Sequence, residues 1–97
     1  MVNIRENWAE ITGEITSMRP DKTHPDFQLI TIHITANKNY KSFPNLVKPT
    51  KQNSLTIKIR KSDLEKILLK KGDTIQMKVR AAPDAHFISA DSLRVIE

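Results

Sequence analysis

Apolar residues recur at every second position along most of the chain, and this period marks strands. From Ala9 onward, Ile11, Gly13 and Ile15 alternate with Glu10, Thr12, Glu14 and Thr16. The pattern predicts a first, half-buried strand in which Gly13 permits a bulge or sharp coil. A turn-rich stretch, Arg19 to Asp26, leads into Phe27 to Ala36, where Ile30, Ile32, Ile34 and Ala36 alternate with Thr31, His33 and Thr35. The two segments read as an antiparallel hairpin. After a long polar connection at 37–53, Leu55, Ile57 and Ile59 form the apolar side of a third strand and Thr56, Lys58 and Arg60 its polar side.

The period then changes. Ser62-Asp63-Leu64-Glu65 reads as a capping box, and Leu64, Ile67 and Leu68 share one helical face, so a short helix is predicted over Ser62 to Lys71. Lys70 and Lys71 suit its C-terminal dipole, and Gly72 suits a left-handed stop. Ile75, Met77 and Val79 mark a fourth strand. After the turn Ala82-Pro83-Asp84-Ala85, a last strand runs from His86 to Ile96. Its apolar phase shifts between Phe87 or Ile88 and Leu93, which places a bulge or bend near Asp91.

Three strands, a short helix and two strands, with Gly13, the 62–71 helix and Gly72-Asp73 so placed, resemble an OB-fold over nearly the whole chain. This is an all-β, five-stranded Greek-key barrel with one short helix between the third and fourth strands. In outline the chain is most similar to small single-stranded-DNA-binding and primosomal-type proteins. That resemblance implies nucleic-acid binding across the second and third strands. Here the matching positions are Thr31, His33, Thr35, Thr56, Lys58 and Arg60, with the loop above them.

A chain of 97 residues is enough for one such domain, 1–97, with a long basic loop at 37–53. The hydrophobic share, 38%, is modest, but its concentration in Ile, Leu and Val runs argues against disorder. No apolar run nears the length needed to cross a bilayer, and Met1 to Arg5 lacks the apolar core of a secretory signal. A soluble, cytoplasmic protein without membrane contact is the expectation. The absence of Cys removes disulfides, Cys-based zinc sites and thiol nucleophiles.

Charge sharpens the picture. Between Phe27 and Ser62 stand seven of the 16 basic residues and none of the 11 acidic ones, so the net charge of +5 is carried locally. Basic residues interleaved with aromatics attract phosphates and stack bases. If the Ile rows point inward, His33, Lys58 and Arg60 project outward. Lys38, Lys41, Lys48 and Lys51 then extend the basic surface into the loop, and Tyr40, Phe43 and His33 are the residues offered to bases. The expected activity is non-catalytic binding of single-stranded nucleic acid, DNA or RNA.

A competing reading has the Phe43 to Val47 segment docking on another protein through Phe43, Leu46 and Val47, or forming an oligomer interface. Solvent-facing lysines also keep small domains soluble without binding anything. Phe27 and Phe87 are read as core, and Trp8 as a core or barrel-end residue. Asp21, His24 and Asp26 have spacing that a divalent ion tolerates, yet Pro25 and its turn-forming neighbours account for them, and no metal is expected. With two glycines there is no phosphate-cradling loop, and no Ser/His/Asp set or paired carboxylates have local support. Neither catalytic residues nor a cofactor are expected.

Overall fold

The computed structural model of the protein describes residues 6–82 and 85–96. Among these residues six strands carry the fold: β1 (Ala9–Pro20), β2 (Phe27–Asn39), β3 (Ser54–Arg60), β4 (Thr74–Ala81), β5 (His86–Ile88) and β6 (Arg94–Ile96). A four-residue helix, α1 (Lys61–Leu64), follows β3, and a 3-10 turn at Ala90–Ser92 separates β5 from β6. The strands run in the order β1-β2-β3-β5-β4, and β4 pairs back onto β1, so five strands close a barrel. All these pairings are antiparallel except β3 with β5, which run parallel and meet at Lys58 and Phe87. The sixth strand, β6, extends the sheet beside Thr74–Gln76 of β4.

Closure follows from the alternation. Ile11 and Ile15 of β1, Ile30 and Ile32 of β2, Ile57 of β3 and Ile75 of β4 all have no solvent exposure, and Leu55, Ile59, Met77 and Val79 complete the barrel interior. Burying each such side chain contributes about 1.5–3 kcal/mol. The β1–β2 register shifts between Thr12 and Gly13, and again between Ile15 and Ser17. At the first shift a Cβ on Gly13 would lie 2.7 Å from the His33 carbonyl oxygen. The close approach favours glycine at this bulge, and the same stretch of β1 pairs with β2 on one edge and β4 on the other.

The helix departs from the sequence expectation. It spans Lys61–Leu64, Arg60 occupies the N-cap in an extended conformation, and no side chain caps it. The Ser62–Glu65 capping box does not form because β3 runs straight into the helix. The Lys61 N–H instead donates to the Asp26 carbonyl, 2.9 Å away in the β1–β2 turn. Leu64, Ile67 and Leu69 pack on the core, whereas Leu68 is 93% exposed. Gly72 does take a positive φ, +97°, and its N–H donates to the Ile15 carbonyl while Ile15 donates to Asp73. These bonds extend the β1–β4 seam past the bulge.

The single last strand expected over His86 to Ile96 is divided at the predicted bend. Ser92 Oγ there donates to the Ser89 carbonyl and accepts from the Lys78 N–H, at 2.7 and 2.9 Å. Pro83 and Asp84 of the expected turn lie outside the described residues, and the bond from the Ala82 N–H to the Ala85 carbonyl closes across them. At the other end Asn7, fully buried, exchanges two hydrogen bonds with the Ala81 backbone and acts as a one-residue strand extension.

Candidate functional site

The β2–β3 register pairs Phe27 with Arg60, Leu29 with Lys58, Thr31 with Thr56 and His33 with Ser54. Because Ile30, Ile32, Leu55 and Ile57 point inward, these residues line the outer face, where the hydroxyls of Thr31 and Thr56 lie 3.0 Å apart. Phe27 belongs to this outward set, and so does Phe87, which meets Lys58 across the β3–β5 pairing. The expectation that both phenylalanines are core residues is therefore corrected. Phe27 has the parity of Thr31 and His33, opposite to the isoleucines, and strand alternation puts it outside. That parity was legible in the sequence. The partner of Phe87 was not, because it depends on which strand β5 joins.

The two rings meet edge to face at 6.5 Å, and His24 meets Phe27 at 6.3 Å. Around them three adjoining hollows follow β3. One of about 460 Å³ is walled by Asp26, Phe27, Arg60, Lys61 and Ser62. Phe27 and Arg60 also wall the next, about 250 Å³, with Lys58 and Phe87. Lys58 in turn walls a third of about 550 Å³, with Lys48, Thr50, Ser54, Thr56 and His86. Phe27 and Arg60 are common to the first two hollows and Lys58 to the last two, which sets them in a row. They form a trench whose walls carry both rings, the cations of Lys48, Lys58, Arg60 and Lys61, and the carboxylates of Asp26 and Asp63.

Its charges are not equivalent. The Lys58 ammonium lies 3.0 Å from Asp21 Oδ2 and 3.3 Å from His24 Nδ1. Asp21 is buried and also accepts the N–H groups of Thr23 and His24. The hydrogen bond from Lys58, aided by those backbone bonds, holds the Asp21 carboxyl down at about 2. Lys58 is thus a compensated charge. Arg60, Lys61 and Lys48 are exposed, and among the described residues none of them has a carboxylate within ion-pair distance. Burial in the wall of the third hollow pushes the His86 imidazole below its ordinary value.

The other sequence candidates fall elsewhere. Tyr40 stacks on Phe43 with centroids 6.1 Å apart and ring planes 1° from parallel. The Lys78 ammonium sits 4.3 Å and that of Lys41 5.2 Å from the Tyr40 centroid. Lys38, at the end of β2, is opposite Glu10 of β1, whose other neighbour is Lys78 of β4. The start of the loop therefore leans toward the β1–β4 seam, helped by a 3.3 Å bond from the Trp8 N–H to the Pro44 carbonyl. Farther on, Val47 is buried in the core and Leu46 is 39% exposed. His33 and Lys51 are exposed but wall none of the three hollows.

Of the nine residues expected to bind nucleic acid, the trench gathers Lys48, Lys58 and Arg60, and Phe27, Phe87, Lys61 and His86 join them. Among the described residues no three His, Asp or Glu side chains converge as metal ligands, and no helix is long and apolar enough to cross a membrane. No protein-family model matches the chain, and no curated protein matches it in sequence.

Proposed function

We propose that the barrel is of the OB type and that its trench along β3 binds single-stranded nucleic acid without catalysing a reaction. The strand order β1-β2-β3-β5-β4, the parallel β3–β5 pairing and the helix between β3 and β4 support the first part. The observation that carries the second is the outward-facing ring pair of half-buried Phe27 and exposed Phe87, set among Arg60, Lys58 and Lys48 along the trench. Bases stack on the ring surface left open on Phe87, 37% exposed, while Arg60, Lys61 and Lys48 meet phosphates. Lys58 contributes less than its position on β3 suggests, since a phosphate reaching it must compete with Asp21.

Anisotropy of labelled single-stranded DNA, single-stranded RNA and duplex DNA, titrated at low and near-physiological salt, tests the proposal. Salt-sensitive preference for single strands is expected, and Phe87→Ala should weaken it by about 1–3 kcal/mol. Absence of binding at low salt, or unchanged affinity after charge reversal at Arg60 and Lys58, would reject it. The rival reading, a protein partner on the Phe43 to Val47 segment, would rest most on Leu46, 39% exposed, since Val47 is buried and Phe43 half-buried. That reading calls for affinity insensitive to salt and dependent on Leu46.

A further inference from the structure

In a closed ring ordered β1-β2-β3-β5-β4, the strands adjoining β3 are β2 and β5, so the β1–β4 seam lies across the barrel from the trench. On that seam the chain builds a second cationic surface. Lys78 of β4 and Lys41 of the loop lie within 4.3 and 5.2 Å of the Tyr40 ring centre, and Lys38 stands two residues before Tyr40 at the end of β2. Lys41 takes a left-handed φ of 50°, a rarely used conformation for lysine, in the turn that carries it back over Tyr40.

Glu10, between Lys38 and Lys78 in the sheet with its Oε1 engaged by Gln76 Nε2 at 3.0 Å, and Asp91, which lines a hollow with Glu10 and Lys78, border this surface. Among the described residues none of the three lysines has a carboxylate within ion-pair distance. Like charges gathered on one ring repel each other, and a polyanion relieves that repulsion. The phenol of Tyr40 is affected by the same two lysines, since hydrogen bonding by Lys78 and then by Lys41 holds its pKa below the ordinary value. The Tyr40–Phe43 stack adds aromatic surface beside the charges. Lys48 and Lys51, both exposed on the connection from this seam to β3, mark a basic path between the two surfaces.

We propose that Lys41 and Lys78 on Tyr40, with Lys38 at the end of β2, form a second phosphate-binding surface, and that one single strand of sufficient length wraps the barrel from the β3 trench to the β1–β4 seam. The proposal rests on the nucleic-acid reading of the trench and extends it to the length of strand engaged.

The test compares oligothymidylates shorter and longer than the site size of about 4–16 nucleotides usual for one such barrel, with the wild-type protein and the Lys41→Ala/Lys78→Ala variant. Linking two surfaces through one strand should make the long oligonucleotide about a hundredfold tighter for the wild type. The variant should lose that gain, keep its affinity for the short oligonucleotide, and show a log affinity–log salt slope smaller by about 1.4 with the long one.

The charge-conserving Lys41→Arg/Lys78→Arg variant should retain the gain. An unchanged gain in the alanine variant, or its equal loss in the arginine variant, overturns the proposal. If the short oligonucleotide does not bind at all, the trench reading fails. In that case the seam stands only if the long oligonucleotide binds and the alanine variant abolishes it, and it falls if the long one does not bind either.

Discussion

At Gly13 the neighbouring strand comes too close for a methyl group. A Cβ there meets the carbonyl oxygen of His33 at 2.7 Å, and that oxygen belongs to the backbone of the neighbouring strand rather than to a flexible side chain. Gly13→Ala should therefore destabilise the fold by about 1–3 kcal/mol, the cost of forcing volume into a packed site. Urea unfolding should show a lower midpoint with an unchanged slope. A shift below about 0.5 kcal/mol, usual for surface changes, would mean that β1 relaxes away from β2 and that the bulge does not depend on glycine. The glycine was legible as a break in an otherwise regular Ile row, and so was the outward parity of Phe27. The compensation of Lys58 was not, because Asp21 is 37 residues away and nothing local connects the two.

At the scale of elements, α1 shows how a local signal yields to its surroundings. Ser62 and Glu65 have the spacing of a capping box, yet the first turn starts at Lys61 and takes its cap from the Asp26 carbonyl. Ser62→Ala should cost less than about 0.5 kcal/mol, whereas loss of a working Ser cap typically costs about 1 kcal/mol. Thermal or urea unfolding of this one variant settles the matter, and a loss near the full cap value would show that Ser62 caps the helix after all. The contacts of Leu64, Ile67 and Leu69 with the core matter more here than helix propensity. The long loop behaves likewise. Its length and polarity were plain, but burial of Val47 ties down its middle, so its start and end serve opposite sides of the barrel.

For the whole molecule, the shifted His86 and Asp21 contribute to how stability falls on the acid side. His86 has a lowered imidazole pKa because burial disfavours its charged form. The fold binds that proton less readily than the unfolded chain, so stability present above the ordinary value of about 6.5 declines as the pH falls toward the folded value. Asp21 has a folded pKa of about 2 against an ordinary 3.8. Its contribution is present above 3.8 and is lost as the pH falls through 2. Melting temperatures followed across pH should show an upper decline that His86→Gln removes and an acid-end decline that Asp21→Asn removes. Identical profiles for the wild type and the His86 variant would refute the lowered pKa of this half-buried imidazole.

The phase of the first four strands, the inward isoleucine rows, the bulge at Gly13 and the concentration of positive charge between Phe27 and Ser62 were all readable from the sequence. All of these follow from side-chain alternation and local composition, which need no knowledge of neighbours. Tertiary structure alone decided that β5 lies parallel to β3, and hence that Phe87 stands beside Lys58. It also decided that Asp21 neutralises Lys58 and that one continuous basic stretch divides between the trench and the β1–β4 seam. These outcomes depend on which strands become neighbours when the ring closes, and that choice is made by packing between residues far apart in the chain.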